Sequence, residues 1–129
     1  MGESITHINF VRQILKWMQV NCSKNDFALV QVDLPEYKKY SKPPLVLGFY
    51  PDIFVDFDRT IIGEAKTLGD ISNEHTLNQI SSYIKFLKGK KRPLFIFACP
   101  WEVYEESFNL INKIQKTLNA NNVEIEVIS

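Results

Sequence analysis

Two carboxylates and one amine lie at the ends of two apolar segments near the middle of the chain. Asp52 precedes the run Ile-Phe-Val, and Glu64 and Lys66 close the run that begins with Ile61 and Ile62. Charged side chains are rarely buried unless they are paired or bound to a metal ion. Charged groups beside segments that belong inside a sheet therefore indicate a reactive or metal-binding site.

The two segments are predicted to form a β-hairpin with strands over Asp52–Phe57 and Thr60–Lys66, because both are rich in β-branched and aromatic residues. Side chains alternate between the two faces of a strand. Glu64 and Lys66, two residues apart, therefore share one face.

The length of the connection decides whether Asp52 joins that face. A two-residue turn at Asp58 and Arg59 would place Asp52 opposite Ala65, on the wrong side of the sheet. A three-residue connection, or a bulge at Gly63, shifts the register by one residue and brings Asp52 to the face of the other two charged groups. If the three groups act together, the hairpin must contain that additional residue.

Two carboxylates and a lysine on one face are suited to the hydrolysis of a phosphodiester bond. Mg²⁺ keeps several waters and binds through one or two carboxylates together with phosphate oxygens of the substrate. The bound ion lowers the pKa of a water and stabilises negative charge at the phosphorus centre. The lysine can hold or deprotonate the attacking water, or stabilise the pentacovalent state.

The pattern Pro51-Asp52, eleven residues, then Glu64-Ala65-Lys66 resembles the signature of the PD-(D/E)XK nuclease superfamily. Its spacing and its placement on a hairpin both fit that signature. The resemblance covers roughly residues 51 to 99, together with the general order of elements outside them.

A second motif extends the resemblance into the following helix. Gln79-Ile-Ser-Ser-Tyr83 is similar to the Q-x-x-x-Y motif that follows the catalytic lysine in RecB-type nucleases of this superfamily. Gln79 would then orient a phosphate or a water, and Tyr83 would support it. The alternative interpretation is one exposed polar residue and one half-buried tyrosine.

The resemblance implies a restriction-endonuclease-like α/β domain with an α-β-β-β-α-β core, in which helices flank a mixed central sheet. It also implies a metal-dependent nuclease that acts on DNA in repair, recombination or defence, with magnesium as the cofactor and manganese as its substitute. Carried over to this sequence, Asp52, Glu64 and the carbonyl of Ala65 bind the metal. Lys66 then positions the attacking water and stabilises the transition state.

The first helix is predicted over Ser4–Val20 from its apolar periodicity. In many relatives this helix supplies an additional acidic residue to the metal site, and Glu3 is the candidate here, with His7 a more remote one. The alternative is an N-terminal charge that favours the helix dipole, and a surface histidine.

Periodicity and turn residues predict the remaining elements, which position the candidate site as part of a single domain over residues 1–129. Leu77 is expected to pack on the sheet, and Tyr104 and Phe108 are expected in a buried stripe of the last helix. The predicted elements are a strand over Phe27–Leu34, a possible short strand over Leu45–Leu47, a helix over Glu74–Lys88 capped by Ser72 or Asn73, a buried strand over Leu94–Cys99, a helix from Trp101 to about Asn119, and a half-exposed strand over Val123–Ile128.

The charge balance requires local basic patches if the chain binds nucleic acid. Fifteen basic residues equal fifteen acidic ones, so the formal net charge is zero. Two segments concentrate positive charge: a loop with Tyr37, Lys38, Lys39, Tyr40 and Lys42, and the end of the second helix with Lys85, Lys88, Lys90, Lys91 and Arg92. For the loop, the alternative to nucleic-acid binding is a solvated loop with no binding role.

The same composition bears on location and on alternative functions. No apolar run approaches the ~20 residues that a membrane span needs, and Cys22 and Cys99 lack metal-ligand spacing, so we expect a cytoplasmic protein without a membrane partner.

An inactive nucleic-acid-binding or assembly subunit of a larger complex is the alternative to an enzyme. A homodimer through the exposed part of the helix at Trp101–Asn119 is also open. A small globular protein with charges at its strand ends is the third hypothesis.

Overall fold

The computed structural model describes residues 4–35 and 39–129, and these form helices on both faces of a mixed sheet. Short 3₁₀ turns at Leu68–Asp70 and Trp101–Val103 precede the third and fourth helices. In chain order the elements are α1 (Ile5–Asn21), α2 (Lys24–Ala28), β1 (Gln31–Val32), β2 (Ile53–Asp56), β3 (Thr60–Ala65), α3 (Glu74–Lys88), β4 (Leu94–Ala98), α4 (Tyr104–Thr117) and β5 (Glu124–Ile128).

The sheet has five strands in the order β1-β2-β3-β4-β5, and their directions divide it into two halves. β1, β2 and β3 pair antiparallel, whereas β3, β4 and β5 pair parallel. The parallel half requires crossover connections, which α3 and α4 supply. The expected α/β class, an open mixed sheet between helices, is therefore confirmed. No helix within residues 4–35 and 39–129 is long and apolar enough to cross a membrane.

Alternation along the central strands builds two hydrophobic layers. In β4, Leu94, Ile96 and Ala98 face α1, whereas Phe95 and Phe97 face α3 and α4. All five residues of β4 are buried, as expected of a strand that has helices on both sides. The two layers hold the sheet between its helices and fix the adjoining ends of β2 and β3, where Ile53 and Ala65 are still part of the core.

The hairpin contains the additional residue that the sequence analysis required. β2 pairs with β3 from Ile53 opposite Gly63 to Asp56 opposite Thr60, which leaves the three residues 57–59 as the connection. Continuing this register by one residue puts Asp52 directly opposite Glu64. Of the two predicted alternatives, the three-residue connection is therefore confirmed, and the hairpin does not need a bulge at Gly63.

The prediction of a strand over Phe27–Leu34 is wrong for its first half. Residues 24–28 form helix α2 because the Ser23 hydroxyl accepts a hydrogen bond from the N–H of Asp26, 3.1 Å away, and caps the turn. The buried Asp26 carboxylate then accepts a hydrogen bond from the N–H of Asp58, 3.0 Å away, and fixes α2 to the hairpin turn. The alternation of apolar residues belongs partly to this helix.

Three apolar residues lie closer to solvent than predicted. Leu77 on α3, and Tyr104 and Phe108 on α4, are each about 40% exposed. The buried stripe of α4 passes through Ser107 and Ile111 instead, so the first half of the helix is rotated by one residue from the predicted contact face. Leu45–Leu47, predicted as a possible short strand, does not form one. The remaining helix and strand predictions agree with the structure to within a few residues, including the Asn73 cap of α3.

Gly63 permits the close approach of α1 to β3. A Cβ atom there would lie 3.1 Å from both Ile14 Cγ2 and Ile53 Cβ. We expect Gly63→Val to lower the free energy of unfolding by about 1 to 3 kcal/mol, because the added methyl groups overpack this contact. Urea unfolding followed by far-ultraviolet circular dichroism measures the change.

The matched control is Gly89→Val, since no described atom lies within 4 Å of a Cβ at that position. This variant should keep the free energy of unfolding within about 0.5 kcal/mol of the original protein. Equal effects of the two substitutions would contradict the role assigned to Gly63.

Candidate active site

Three charged side chains meet at the end of the sheet where β2 begins and β3 ends. The N–H of Asp52 donates to Glu64 Oε1 at 3.3 Å, and Lys66 Nζ lies 3.4 Å from Glu64 Oε2. Asp52 and Glu64 are both buried, and Lys66 is partly exposed. The structure thus brings together the three residues on which the sequence interpretation depended.

Asp52 is held in place by two elements. Its Oδ2 accepts a hydrogen bond of 2.8 Å from the N–H of Ala65, and its Oδ1 lies 3.2 Å from His7 Nε2 on α1. The N–H and C=O of one strand residue point to the same strand edge, so the carbonyl of Ala65 also lies on the side of β3 that faces Asp52. His7 therefore reaches the site, whereas Glu3 lies outside the described residues.

The two residues of the helix motif are buried against this site. Gln79 and Tyr83 lie one turn apart on α3, whose start is fixed by the Asn73 side chain accepting from the N–H of Thr76 at 2.7 Å. Both are buried, so the alternative of an exposed glutamine and a half-buried tyrosine does not hold. Within the described residues, Gln79 Oε1 and the Tyr83 hydroxyl have no hydrogen-bond partner of good geometry.

Burial and like charge shift the pKa values of the site. Removal from water raises the pKa of Glu64 well above the usual 4.5, the charge of Asp52 raises it further, and Lys66 offsets part of the increase. Burial and then the charge of Glu64 raise the pKa of the Tyr83 hydroxyl. The site is therefore an environment in which one more cation would be favourable.

The donor set fits a hard divalent cation. Carboxylate and backbone carbonyl oxygens are the ligands that Mg²⁺ prefers, and a cation between Asp52 and Glu64 would offset their repulsion. Among the described residues, no group of three or more His, Cys, Asp or Glu side chains is arranged to hold a metal ion. Mg²⁺ does not need such a group, because water and phosphate oxygens complete its shell.

A cleft of about 260 Å³ opens over these groups. Three of its residues, Asp33, Tyr50 and Asp70, were not predicted as site residues. Asp33 lies beside Asp52 in the sheet, since its N–H donates to the carbonyl of Asp52 at 2.9 Å. No local pattern distinguished it, because it fell inside the strand predicted over Phe27–Leu34. The cleft is lined by His7, Asp33, Tyr50, Asp52, Glu64, Ala65, Lys66, Asp70 and Gln79.

The two basic segments lie in different places relative to the cleft. The segment Lys85–Arg92 lies at the opposite end of the sheet, where the carbonyl of Lys91 accepts from the N–H of Thr60 at 3.1 Å. The basic patch predicted at the end of the second helix therefore lies away from the candidate site. Lys42 lies beside the cleft, its Nζ 4.7 Å from the centre of the Tyr50 ring. Tyr37 and Lys38, from the same predicted patch, lie outside the described residues.

No protein-family model matches the chain, and no curated protein or solved structure matches it either.

The raised pKa of Glu64 makes the stability of the protein depend on pH in EDTA. Below the usual glutamate pKa, the group is protonated in both the folded and the unfolded chain. Above it, the unfolded chain loses the proton first, so the free energy of unfolding falls with a slope of up to about 1.4 kcal/mol per pH unit until the folded pKa is passed. We expect Glu64→Gln to remove this component. Urea unfolding at a series of pH values measures it.

The matched control is Glu102→Gln, which alters an exposed glutamate at the start of a 3₁₀ turn. It should leave the pH dependence of unfolding close to that of the original protein. Identical profiles for Glu64→Gln and the original protein would contradict the assigned electrostatics.

Proposed function

We propose that the chain is a metal-dependent nuclease that hydrolyses phosphodiester bonds in DNA, with residues 1–129 as one PD-(D/E)XK-like domain. The observation that carries the proposal is the hairpin register, which sets Asp52 opposite Glu64 while Lys66 contacts Glu64 in an open cleft. The element order supports a restriction-endonuclease-like α-β-β-β-α-β core as part of the same proposal.

Asp52, Glu64 and the carbonyl of Ala65 would hold Mg²⁺, for which Mn²⁺ is the expected substitute. When bound, the ion would lower the pKa of a water and neutralise charge on the phosphate. Asp52 is suited to this role because its carboxylate is already oriented by the Ala65 N–H and by His7.

Lys66 would hold the attacking water and stabilise the negative charge that develops on the phosphate. Its amine is 3.4 Å from Glu64 Oε2, so it lies beside the metal position while its partial exposure keeps it open to a substrate. A fixed cation in a partly dehydrated site stabilises a transition state more strongly than the same charge in water.

Gln79 and Tyr83 would complete the site from the side of α3. An unpartnered buried polar atom costs about 1 to 3 kcal/mol of stability, so its retention favours a role in binding. The Gln79 side chain lines the cleft and would contact a phosphate or a water. Tyr83 lies one helical turn after Gln79, with its hydroxyl near the charge of Glu64, and would position the side chains of Gln79 and Glu64.

Cleavage should depend on both the metal and the lysine. We expect Asp52→Asn and Lys66→Met each to lower the cleavage rate by about 100-fold or more, because one removes a metal ligand and the other the cation at the phosphate. The assay uses linear, circular, single-stranded and branched DNA, and RNA, with Mg²⁺ or Mn²⁺ against EDTA.

Lys85→Met is the matched control, since Lys85 is exposed on α3 in the basic segment far from the cleft. It should retain cleavage. Full activity in Asp52→Asn and Lys66→Met would refute the proposed site. Binding without cutting, unaffected by Lys66→Met, would instead favour the inactive subunit.

Metal binding should also be visible without substrate. A ligand that binds only the folded state raises the unfolding temperature, and at 100 times its dissociation constant it adds about 2.7 kcal/mol. We expect Mg²⁺ to stabilise the original protein and not Asp52→Asn, as measured by thermal unfolding with increasing Mg²⁺. Equal stabilisation of both proteins would place the metal elsewhere.

Tyr83→Phe separates a positioning role from a structural one. The hydroxyl lies near Glu64 and Gln79 but makes no hydrogen bond of good geometry within the described residues, so its removal should leave the free energy of unfolding unchanged or raise it by about 1 kcal/mol. Cleavage should nevertheless fall by about tenfold or more, because the groups that it positions would shift. Tyr104→Phe on α4 is the matched control, and a parallel loss of stability and activity in Tyr83→Phe would contradict the assignment.

A further inference from the structure

A tight turn carries two exposed leucines beside the candidate active site. The N–H of Val46 donates to the carbonyl of Phe49 at 2.7 Å, and the N–H of Phe49 returns a bond to the carbonyl of Val46 at 3.1 Å. Leu47 and Gly48, at the two corners, have φ angles of 46° and 93°. Positive φ at both corners is the geometry of a type I′ turn.

Leucine is an unfavourable residue at the first corner. Type I′ turns favour Asn-Gly and Asp-Gly, because a left-handed conformation costs a side chain such as leucine about 1 to 2 kcal/mol. Packing does not offset this cost, since Leu47 is 54% exposed and Leu45 is 58% exposed. The turn therefore presents two apolar side chains to solvent in spite of backbone strain.

The base of the turn is fixed to the fold. Val46 is buried, and the Phe49 ring contacts Tyr83 edge-on with centroids 6.3 Å apart. The corner itself is open, because no described atom lies within 4 Å of a Cβ built at Gly48. Because the residues at the base of the turn are packed and the residues at its tip are exposed, the Leu47 side chain is available for insertion into another molecule.

The tip adjoins the cleft through the next residues of the chain. Tyr50 lines the cleft with Asp52, and Lys42 lies over the Tyr50 ring. Leu47 is five residues before Asp52, so the chain allows at most about 18 Å between them. The tip therefore lies within a few nucleotide lengths of the carboxylates.

We propose that the turn 45–49 is a wedge that opens base pairs next to the cleft and directs one strand over Tyr50 towards Asp52. This inference rests on the proposed nuclease function and specifies its substrate as a duplex that must be locally opened. Apolar side chains inserted between base steps unstack them. Tyrosine rings stack on exposed bases, and a lysine beside the ring can contact the phosphates.

A nucleic acid is favoured over a protein partner by the chemistry that surrounds the leucines. In the chain they lie between Lys42 and Tyr50, whose side chains are in contact, and Tyr50 also lines the cleft. The lysine and the aromatic ring suit a phosphate and a base, and the carboxylates of the cleft would accept a phosphate through the proposed cation. A wedge also explains the strain, because a stiff type I′ corner projects its side chain without bending back onto the protein.

Leu47→Asn tests the wedge while it preserves the turn, since asparagine adopts the left-handed conformation readily. Its matched control is Leu29→Asn, which alters a leucine of 53% exposure at the end of α2 and away from the cleft. In the Lys66→Met background, which prevents cutting, duplexes carrying 2-aminopurine report the opening of base pairs as an increase in fluorescence on binding.

We expect the increase in Lys66→Met alone and with Leu29→Asn, and its loss with Leu47→Asn. With Lys66 intact, Leu47→Asn should lower kcat/KM by about tenfold on fully paired duplexes and by less than about twofold on the same duplexes with two mismatched pairs. The mismatch replaces the work of the wedge, whereas a general loss of folding would reduce both activities equally.

Unchanged fluorescence and unchanged preference in Leu47→Asn would overturn the wedge and leave the nuclease intact. Absence of cutting by the original protein on every substrate would overturn the nuclease, and the fluorescence would still decide whether the turn opens base pairs. If Leu47→Asn leaves the fluorescence increase and kcat/KM on DNA unchanged but abolishes binding to a protein partner, the leucines belong to that protein interface and the wedge is overturned.

Discussion

The repulsion between two carboxylates that lie opposite each other at a strand end is the constraint on which the rest of the site depends. Asp52 and Glu64 can be buried together only if other groups hold each in place. The Ala65 N–H and His7 hold Asp52, whereas the N–H of Asp52 and the amine of Lys66 hold Glu64. Ala65 and Lys66 come from the end of β3, Asp52 from the start of β2 and His7 from α1, so the site requires the sheet, α1 and the hairpin register at once.

The pairing of the two carboxylates depends in turn on the register of the hairpin. A connection of two residues would turn Asp52 towards α1 and leave Glu64 with no opposing carboxylate. The three-residue connection is in turn fixed from outside the hairpin, because the Asp26 carboxylate accepts from the N–H of Asp58. Gly63 then lets α1 approach closely enough for His7 to reach Asp52. A short helix and a small residue, neither of them chemically reactive, thus determine where the reactive groups meet.

The sequence was sufficient to predict what depends on neighbouring residues and insufficient for what depends on distant ones. Alternation placed Glu64 and Lys66 on one face, and the Asn73 cap gave the start of α3. Tyr50 and Asp33 reach the cleft only through tertiary packing, which no local periodicity contains. The exposed positions on α4 have the same origin: the contact face of an amphipathic helix depends on how the helix meets its sheet, and a rotation of one residue exchanges buried and exposed sites.

The places where the chain departs from local preference are concentrated at one end of the sheet. Glu64 is buried with a raised pKa, the Tyr83 hydroxyl makes no hydrogen bond of good geometry within the described residues, and Leu47 occupies a left-handed corner in solvent. Arg92, at the opposite end, is also left-handed, but its carbonyl accepts a hydrogen bond of 3.0 Å from Arg59 Nε, which offsets the strain. Departures without compensation are expected where binding supplies the missing interactions. A divalent cation would do so for the carboxylates, and an opened duplex would do so for the leucines.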